Sequence, residues 1–206
     1  WVYGSIRLLT ANCGNGTTSL EKYGEYAALQ KALAMKPEEV ISEIKASGLV
    51  GRGGAAFPTG VKWEGAAKAE GSPKYVICNA DESEPGTFKD RYLMERLPHL
   101  LIEGMIISSF ALGANTSYIY IRGEFHEGYR SLQGAVEEAY AKGYVGQNIL
   151  GTGGHSDVRV HRGALVNLDA VESYGGEDGV LVLKLSDGTR VEASERRAAD
   201  VRRKLR

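Results

Sequence analysis

Apolar residues recur at helical spacing in three stretches of the first 70 residues, and strand-like patterns appear only afterwards. Between Tyr26 and Met35 the stripe is Leu29, Ala32 and Leu33. Pro37 opens a second helix in which Val40, Ile41 and Ile44 recur and which Gly48 ends. Val61 to Glu70 predicts a third. Lys74 to Cys78 has the pattern of a buried strand, Pro98 to Gly113 that of an apolar helix, and Tyr118 to Ile121 that of a second strand. Glu127 to Lys142 is amphipathic and closed by Gly143. Strand, helix, strand, helix predicts an α/β fold: a Rossmann-like parallel sheet, with right-handed crossovers, flanked by helices. Residues 1–22, with turn chemistry from Asn12 to Thr18, are expected to be a lead-in segment.

Between the second and third helices lies Gly51 to Trp63, with four glycines from Gly51 to Gly60. Such a backbone can take positive φ and lie flush against a flat or anionic ligand, and it can equally be a plain turn. Arg52 and Lys62 add fixed charge and Phe57 an aromatic face. Thr59 is placed to cap a helix starting near Val61. The strand at Lys74 to Cys78 delivers Asn79, Asp81, Glu82 and Glu84 to the end where an α/β sheet places its ligands. On its own this segment reads as a solvated acidic turn; beside the glycine loop it reads as a polar ligand site.

A length of 206 residues fits one domain, or a domain with a small appendage. Net charge −1 with 25% charged residues carries no global bias toward nucleic acid or acidic substrates. Cys13 and Cys78 belong to no Cys-x-x-Cys pair, which predicts reduced thiols and no zinc or cysteine-ligated cluster. His99 and His126 lack partners at metal-ligand spacing, so surface or core roles are expected. No apolar run approaches the roughly 18 residues of a membrane span, and Glu103 and Gly104 break the one at Ile102 to Leu112. A soluble chain without a retained signal peptide is the expectation.

Gly-Arg-Gly-Gly-Ala-Ala-Phe-Pro-Thr-Gly from Gly51 and Asn-Ala-Asp-Glu-Ser-Glu-Pro-Gly from Asn79 resemble motifs of the flavin-bearing, NADH-binding subunit of respiratory complex I and related diaphorases. The similarity runs from about Tyr23 to about Gly153. Ala56 stands where that family usually has glycine, and its methyl narrows the slot under a ligand. The resemblance implies an NADH dehydrogenase module over residues 23–157. It would bind NADH and FMN and transfer a hydride to the flavin, for onward electron transfer to iron–sulfur partner subunits of a larger redox complex. It also implies a cytoplasmic location, on the cytoplasmic side of a membrane complex. Carried over, Gly51, Arg52, Gly53, Gly54, Ala55, Phe57, Thr59, Gly60 and Lys62 bind the nucleotide. Asn79, Asp81, Glu82 and Glu84 face the same ligand, with Glu84 nearest the reacting nicotinamide and flavin. Arg122-Gly123-Glu124 resembles the family's corresponding segment and would help shape the pocket.

Val158 to Ala164 opens like the family's next segment, but Leu165 to Ser173 departs from it. The tyrosine, the paired glutamates, the asparagine-rich flavin segment and the cysteine motif for an iron–sulfur cluster are missing, so this chain encodes no such cluster. Weak flavin binding and slow NADH oxidation are expected. Residues 158–206 instead resemble the carboxy-terminal half of a LytTR DNA-binding domain. The likeness rests on Val158 to Arg162, Leu165 to Leu168, a strand Val180 to Leu185, the hairpin turn Ser186 to Thr189 and a helix from Glu195. It implies a small β-hairpin plus helix, with Arg162 and Arg196 where that family reaches DNA. From Glu195 to Arg206 six basic residues stand against two acidic ones, which suits both weak DNA binding and a solvated helix end. The alternative to the redox module is therefore a fragment of a DNA-binding transcriptional regulator.

Overall fold

The computed structural model describes residues 9–13, 18–162, 170–177, 180–193, 198, 201–203 and 205. The chain divides into two compact units, residues 1–163 and 164–206.

The first unit runs α1 (Leu20–Tyr23), α2 (Ala27–Leu33), α3 (Pro37–Ala46), α4 (Thr59–Lys68), β1 (Tyr75–Ala80), α5 (Lys89–Arg96), α6 (Pro98–Leu112), β2 (Thr116–Ile121), α7 (His126–Ala141), β3 (Gly146–Gln147) and β4 (His155–Arg162). Strands β1, β2 and β4 pair in parallel in that order, and the short β3 adds an antiparallel edge. The expected α/β sheet flanked by helices is thus present. Residues 158–162, read from sequence as the opening of the tail, are hydrogen-bonded into this sheet as part of β4.

Side chains alternate across the sheet. Ser117, Ile119 and Ile121 of β2 are fully buried, and they lie on the face packed by α6, which contacts β1, β2 and β4, and by α7, which contacts β4. Ile102, Met105 and Ile106 of α6 meet Leu132, Ala135 and Val136 of α7 in the same core. Each fully buried Leu or Ile there contributes roughly 1.5–3 kcal/mol. The opposite face carries Tyr75 and Ile77, both more than half exposed. On it the Tyr118 ring lies 6.1 Å from Tyr75 and 5.5 Å from His161. Pro98 sits in the first turn of α6, and Gly113, at φ 69°, closes it in the left-handed conformation that glycine adopts without steric cost.

Two polar residues of α6 are inside the core. Glu103 accepts hydrogen bonds from the Tyr23 hydroxyl and, at 2.9 Å, from the Leu29 backbone N–H. His99 is fully buried; its Nδ1 is 2.9 Å from the Tyr26 hydroxyl, and its Nε2 is 3.3 Å from Glu138 Oε2. Tyr26 also stacks on Tyr144, ring centroids 4.4 Å apart. These contacts fasten α1 and α2 to α6.

Burial holds the His99 pKa below its ordinary value, against the opposing pull of Glu138. The unfolded chain therefore takes up a proton near its ordinary pKa of about 6.5 that the fold rejects. The stability due to neutral His99 is complete above that pH and is lost as the pH falls toward the folded value. A chain carrying His99→Gln should show a shallower decline in unfolding free energy below about pH 6.5; parallel curves for the two proteins would refute the assignment.

The second unit holds β5 (Val171–Glu177), β6 (Val180–Leu185) and β7 (Arg190–Ala193), antiparallel in that order. The β6–β7 turn is the expected Ser186–Thr189. Gly188 takes φ 85° there, and the Thr189 N–H donates to Asp187 Oδ1 at 2.8 Å. Leu181, Val182 and Leu183 are buried. Strand β5 is additional to the predicted hairpin. Val201–Arg203 are helical, while most of the stretch expected to form the closing helix, Arg196 included, lies outside the described residues.

Candidate nucleotide site

The glycine loop spans α3 to α4 as a short excursion closed at its base. The Gly51 N–H donates to Phe57 O at 2.9 Å, the Thr59 N–H donates to Leu49 O at 2.9 Å, and Val50 bridges Pro58. Residues 51–58 are all exposed, with Phe57 53% accessible. Gly54 stands at φ 107°, a conformation costly for any residue with a Cβ. A Cβ on Gly53 would meet nothing within 4 Å, so the backbone there is bare and approachable. Arg52 and Lys62 are also exposed. This open backbone between two cations fits the phosphate end of a nucleotide.

Three positions carry constraints that the motif alone does not show. Thr59 is the first residue of α4 rather than its cap; Pro58 occupies the cap position and no side chain caps the helix. Gly60 is buried, and a Cβ on it would lie 2.7 Å from the backbone N of Lys45 and 2.8 Å from its Cα. Its hydrogen side chain lets α4 cross α3 closely. Ala56 sits at φ 50°, left-handed backbone that costs a non-glycine residue roughly 1–2 kcal/mol.

The acidic loop leaves the carboxyl end of β1. Register aligns Ala80 with Ile121 and Ile121 with Arg162, so the ends of β1, β2 and β4 share one edge of the sheet. The crevice outside such ends is where open α/β sheets take ligands. Asp81 and Glu84 are on this loop, and the Glu84 side chain is exposed. Asn79 is exposed and receives the Asp81 N–H at 3.1 Å. Glu82 turns the other way. It is 9% exposed and accepts the Asp90 and Arg91 N–H groups at 3.1 and 3.0 Å, which caps α5. Burial alone would raise its pKa; those two N–H groups and Lys89, 3.7 Å away, hold it below the ordinary value instead. Sequence reasoning missed α5, and no local motif marks the distant residue that caps it.

Arg122 follows β2. Its guanidinium forks onto Glu124 at 3.0 and 3.3 Å and donates to Ser83 O at 3.2 Å. Arg162, assigned from sequence to DNA, is the last residue of β4. It donates to His126 Nδ1 at 2.9 Å and lies over the Tyr129 ring at 4.5 Å. Among the described residues no group of His, Cys, Asp and Glu could hold a metal ion, and no helix is long and apolar enough to cross a membrane.

Residues 44–172, which contain both loops, match the Nuo51 FMN-binding domain. Residues 153–206 match the LytTr DNA-binding domain. An NADH-quinone oxidoreductase subunit of Aquifex aeolicus (strain VF5) is 60% identical over 149 residues, 71% of this chain and 35% of that protein. Its namesake in Rhizobium meliloti (strain 1021) is 53% identical over 152 residues, 73% of this chain and 36% of that protein. A crystal structure of an NAD+-reducing NiFe hydrogenase in the H2-reduced state superposes with a TM-score of 0.60 at 34% identity, covering 73% of this chain and 25% of that one. The chain spans about a third of the length of the curated relatives it matches. With more than half of its residues, both loops among them, inside the family match, the chain belongs to the Nuo51 FMN-binding domain family.

Proposed function

We propose that the first unit binds FMN and NADH as the nucleotide-binding part of an NADH dehydrogenase. The observation that carries this reading is a family match enclosing a glycine loop whose backbone at Gly53 is bare and flanked by exposed Arg52 and Lys62. Gly51, Gly53, Gly54 and Ala55 let the backbone approach the ligand, Phe57 offers a ring face, and Arg52 and Lys62 neutralise phosphate. Asn79, Asp81 and Glu84 orient the nicotinamide and the flavin edge, so that binding energy fixes the approach of the reacting atoms. Glu82 serves that surface from behind as the cap of α5, and Thr59 and Gly60 set the start and packing of α4. Bound FMN would supply the hydride-accepting ring, with electrons passing on to iron–sulfur partner subunits. Because Leu165 to Ser173 departs from the family's pattern, flavin is held weakly and NADH oxidation is slow.

Titration of the purified chain with FMN and NADH, followed by flavin and nicotinamide fluorescence, tests the reading. Gly53→Val should weaken binding by about tenfold or more, roughly 1.4 kcal/mol, with the melting temperature preserved, because space is open around that Cβ. Ligand titrations that match the unaltered chain would sink the assignment.

A second reading rests on the match of residues 153–206 to a DNA-binding family. We propose that the basic tail of the second unit, Arg196 included, gives weak, sequence-indifferent attachment to duplex DNA through counterion release. Affinity should fall steeply as salt rises. Tight recognition of one sequence at physiological salt would overturn it.

A further inference from the structure

Glu84 is the acidic-loop residue best placed to meet a ligand, and its neighbours are held while its own side chain is not. The Ser83 carbonyl, one residue before it, accepts from Arg122 Nη1 at 3.2 Å. The Glu84 carbonyl accepts from the Thr87 N–H at 3.1 Å and from the Thr87 hydroxyl at 2.6 Å. Ser83 Oγ donates to Asp81 Oδ1 at 2.9 Å. Among the described residues none donates to the Glu84 carboxylate. The loop is therefore fixed on both sides of a free carboxylate.

The tether from β2 is specific to arginine. Nε and Nη2 of Arg122 engage both carboxylate oxygens of Glu124, and this leaves Nη1 aimed across to the Ser83 carbonyl. A planar fork can make both attachments at once; an ammonium group offers one compact charge on a flexible stem and loses the bidentate geometry. Glu82 supplies the second anchor. It sits between Asp81 and Ser83 in the chain and is drawn into the amino end of α5. The loop is thus gripped from two elements, β2 through Arg122 and α5 through Glu82.

We infer that Arg122 is a positioning residue, which acts through the Ser83 carbonyl to hold Glu84 at the carboxyl edge of the sheet where the nicotinamide of NADH is taken. This rests on the reading of the first unit as an NADH site. Arg122 acts through the loop backbone, and two hydrogen bonds to Glu124 orient its guanidinium.

The experiment compares the unaltered chain with Arg122→Lys, Glu84→Gln and the double variant. Melting temperature and hydrogen exchange of the Thr87 amide, whose N–H the Glu84 carbonyl holds, are measured without nucleotide, and NADH affinity is measured by fluorescence titration. Arg122→Lys should leave the melting temperature within a few degrees, speed exchange in the loop about tenfold and weaken NADH about tenfold. The double variant should bind NADH no more weakly than the worse single variant, since non-additivity marks residues acting through one another. A packing defect alone would add to the Glu84→Gln effect instead. Unchanged loop exchange in Arg122→Lys, or faster exchange with unchanged NADH affinity, or additive effects, would each overturn the inference while leaving the NADH site standing. An unaltered chain that binds neither NADH nor FMN would overturn the site reading, and this inference with it.

Discussion

Glu103→Ala should lower the unfolding free energy of the first unit by about 3 kcal/mol. Glu103 is 5% exposed and accepts from two donors that water does not reach freely, the Leu29 N–H at 2.9 Å and the Tyr23 hydroxyl. Truncation leaves both donors without a partner, at roughly 1–3 kcal/mol each, and opens a space between α2 and α6. Both ends of the contact lie where α1 and α2 are fastened to α6, so the loss should appear as early melting of residues 20–33. Urea denaturation gives the magnitude, and amide exchange over α1 and α2 gives the location. Glu103→Gln, which keeps one acceptor oxygen, should lose clearly less. Equal losses in the two variants would show that keeping the side-chain volume and one acceptor preserves nothing, so that the pair of carboxylate oxygens decides.

The second large effect is expected at Gly60→Ala. The added methyl would stand 2.4 Å from Lys45 Cγ, 2.7 Å from Lys45 N and 2.8 Å from Lys45 Cα. A flexible side chain can swing away from such a clash, but backbone within α3 cannot, so the two helices must part. Overpacking of this kind costs about 1–3 kcal/mol. Nucleotide affinity should fall together with the melting temperature, whereas Gly53→Val should lose affinity alone. Unchanged melting of Gly60→Ala would show that α3 and α4 slide apart without cost.

The two glycines show where sequence is ambiguous. Both belong to one glycine-dense string, yet the neighbour that dictates Gly60 is fifteen residues away in α3, and nothing in the loop's own spacing announces it. Period and punctuation carried the larger elements. Pro37 and Pro98 open α3 and α6, Gly113 closes α6, and β2 alternates strictly. Lys89–Arg96 offers no such stripe: Met94 is its one buried residue, and its cap, Glu82, comes from the preceding loop. For the same reason Glu82 looked like one more acid facing a ligand. Strand β5 contains Gly175 and Gly176, which weaken strand propensity, and its pairing with β6 supplies what local sequence does not. At the site, residue types and their order were legible in Gly51–Lys62 and Asn79–Glu84. Their division into exposed groups and helix-packing or helix-capping groups depended on partners distant in sequence.

Strand register also sets an order of assembly. Tyr75 pairs with Thr116, and Thr116 with Asp157, so each parallel pairing must close some forty residues of chain before it gains a hydrogen bond. Lys184 pairs with Arg190 across a turn that Asp187 and Gly188 already favour. Loop-closure entropy delays distant pairings, and parallel sheets are slow for that reason. The β6–β7 hairpin should therefore form early during folding. The edge that gathers the acidic loop, Arg122 and Arg162 takes shape only once α6 and α7 have carried the chain back across the sheet. A nucleotide that needs that edge is accordingly a ligand of the finished first unit and offers no help to the chain on its way there.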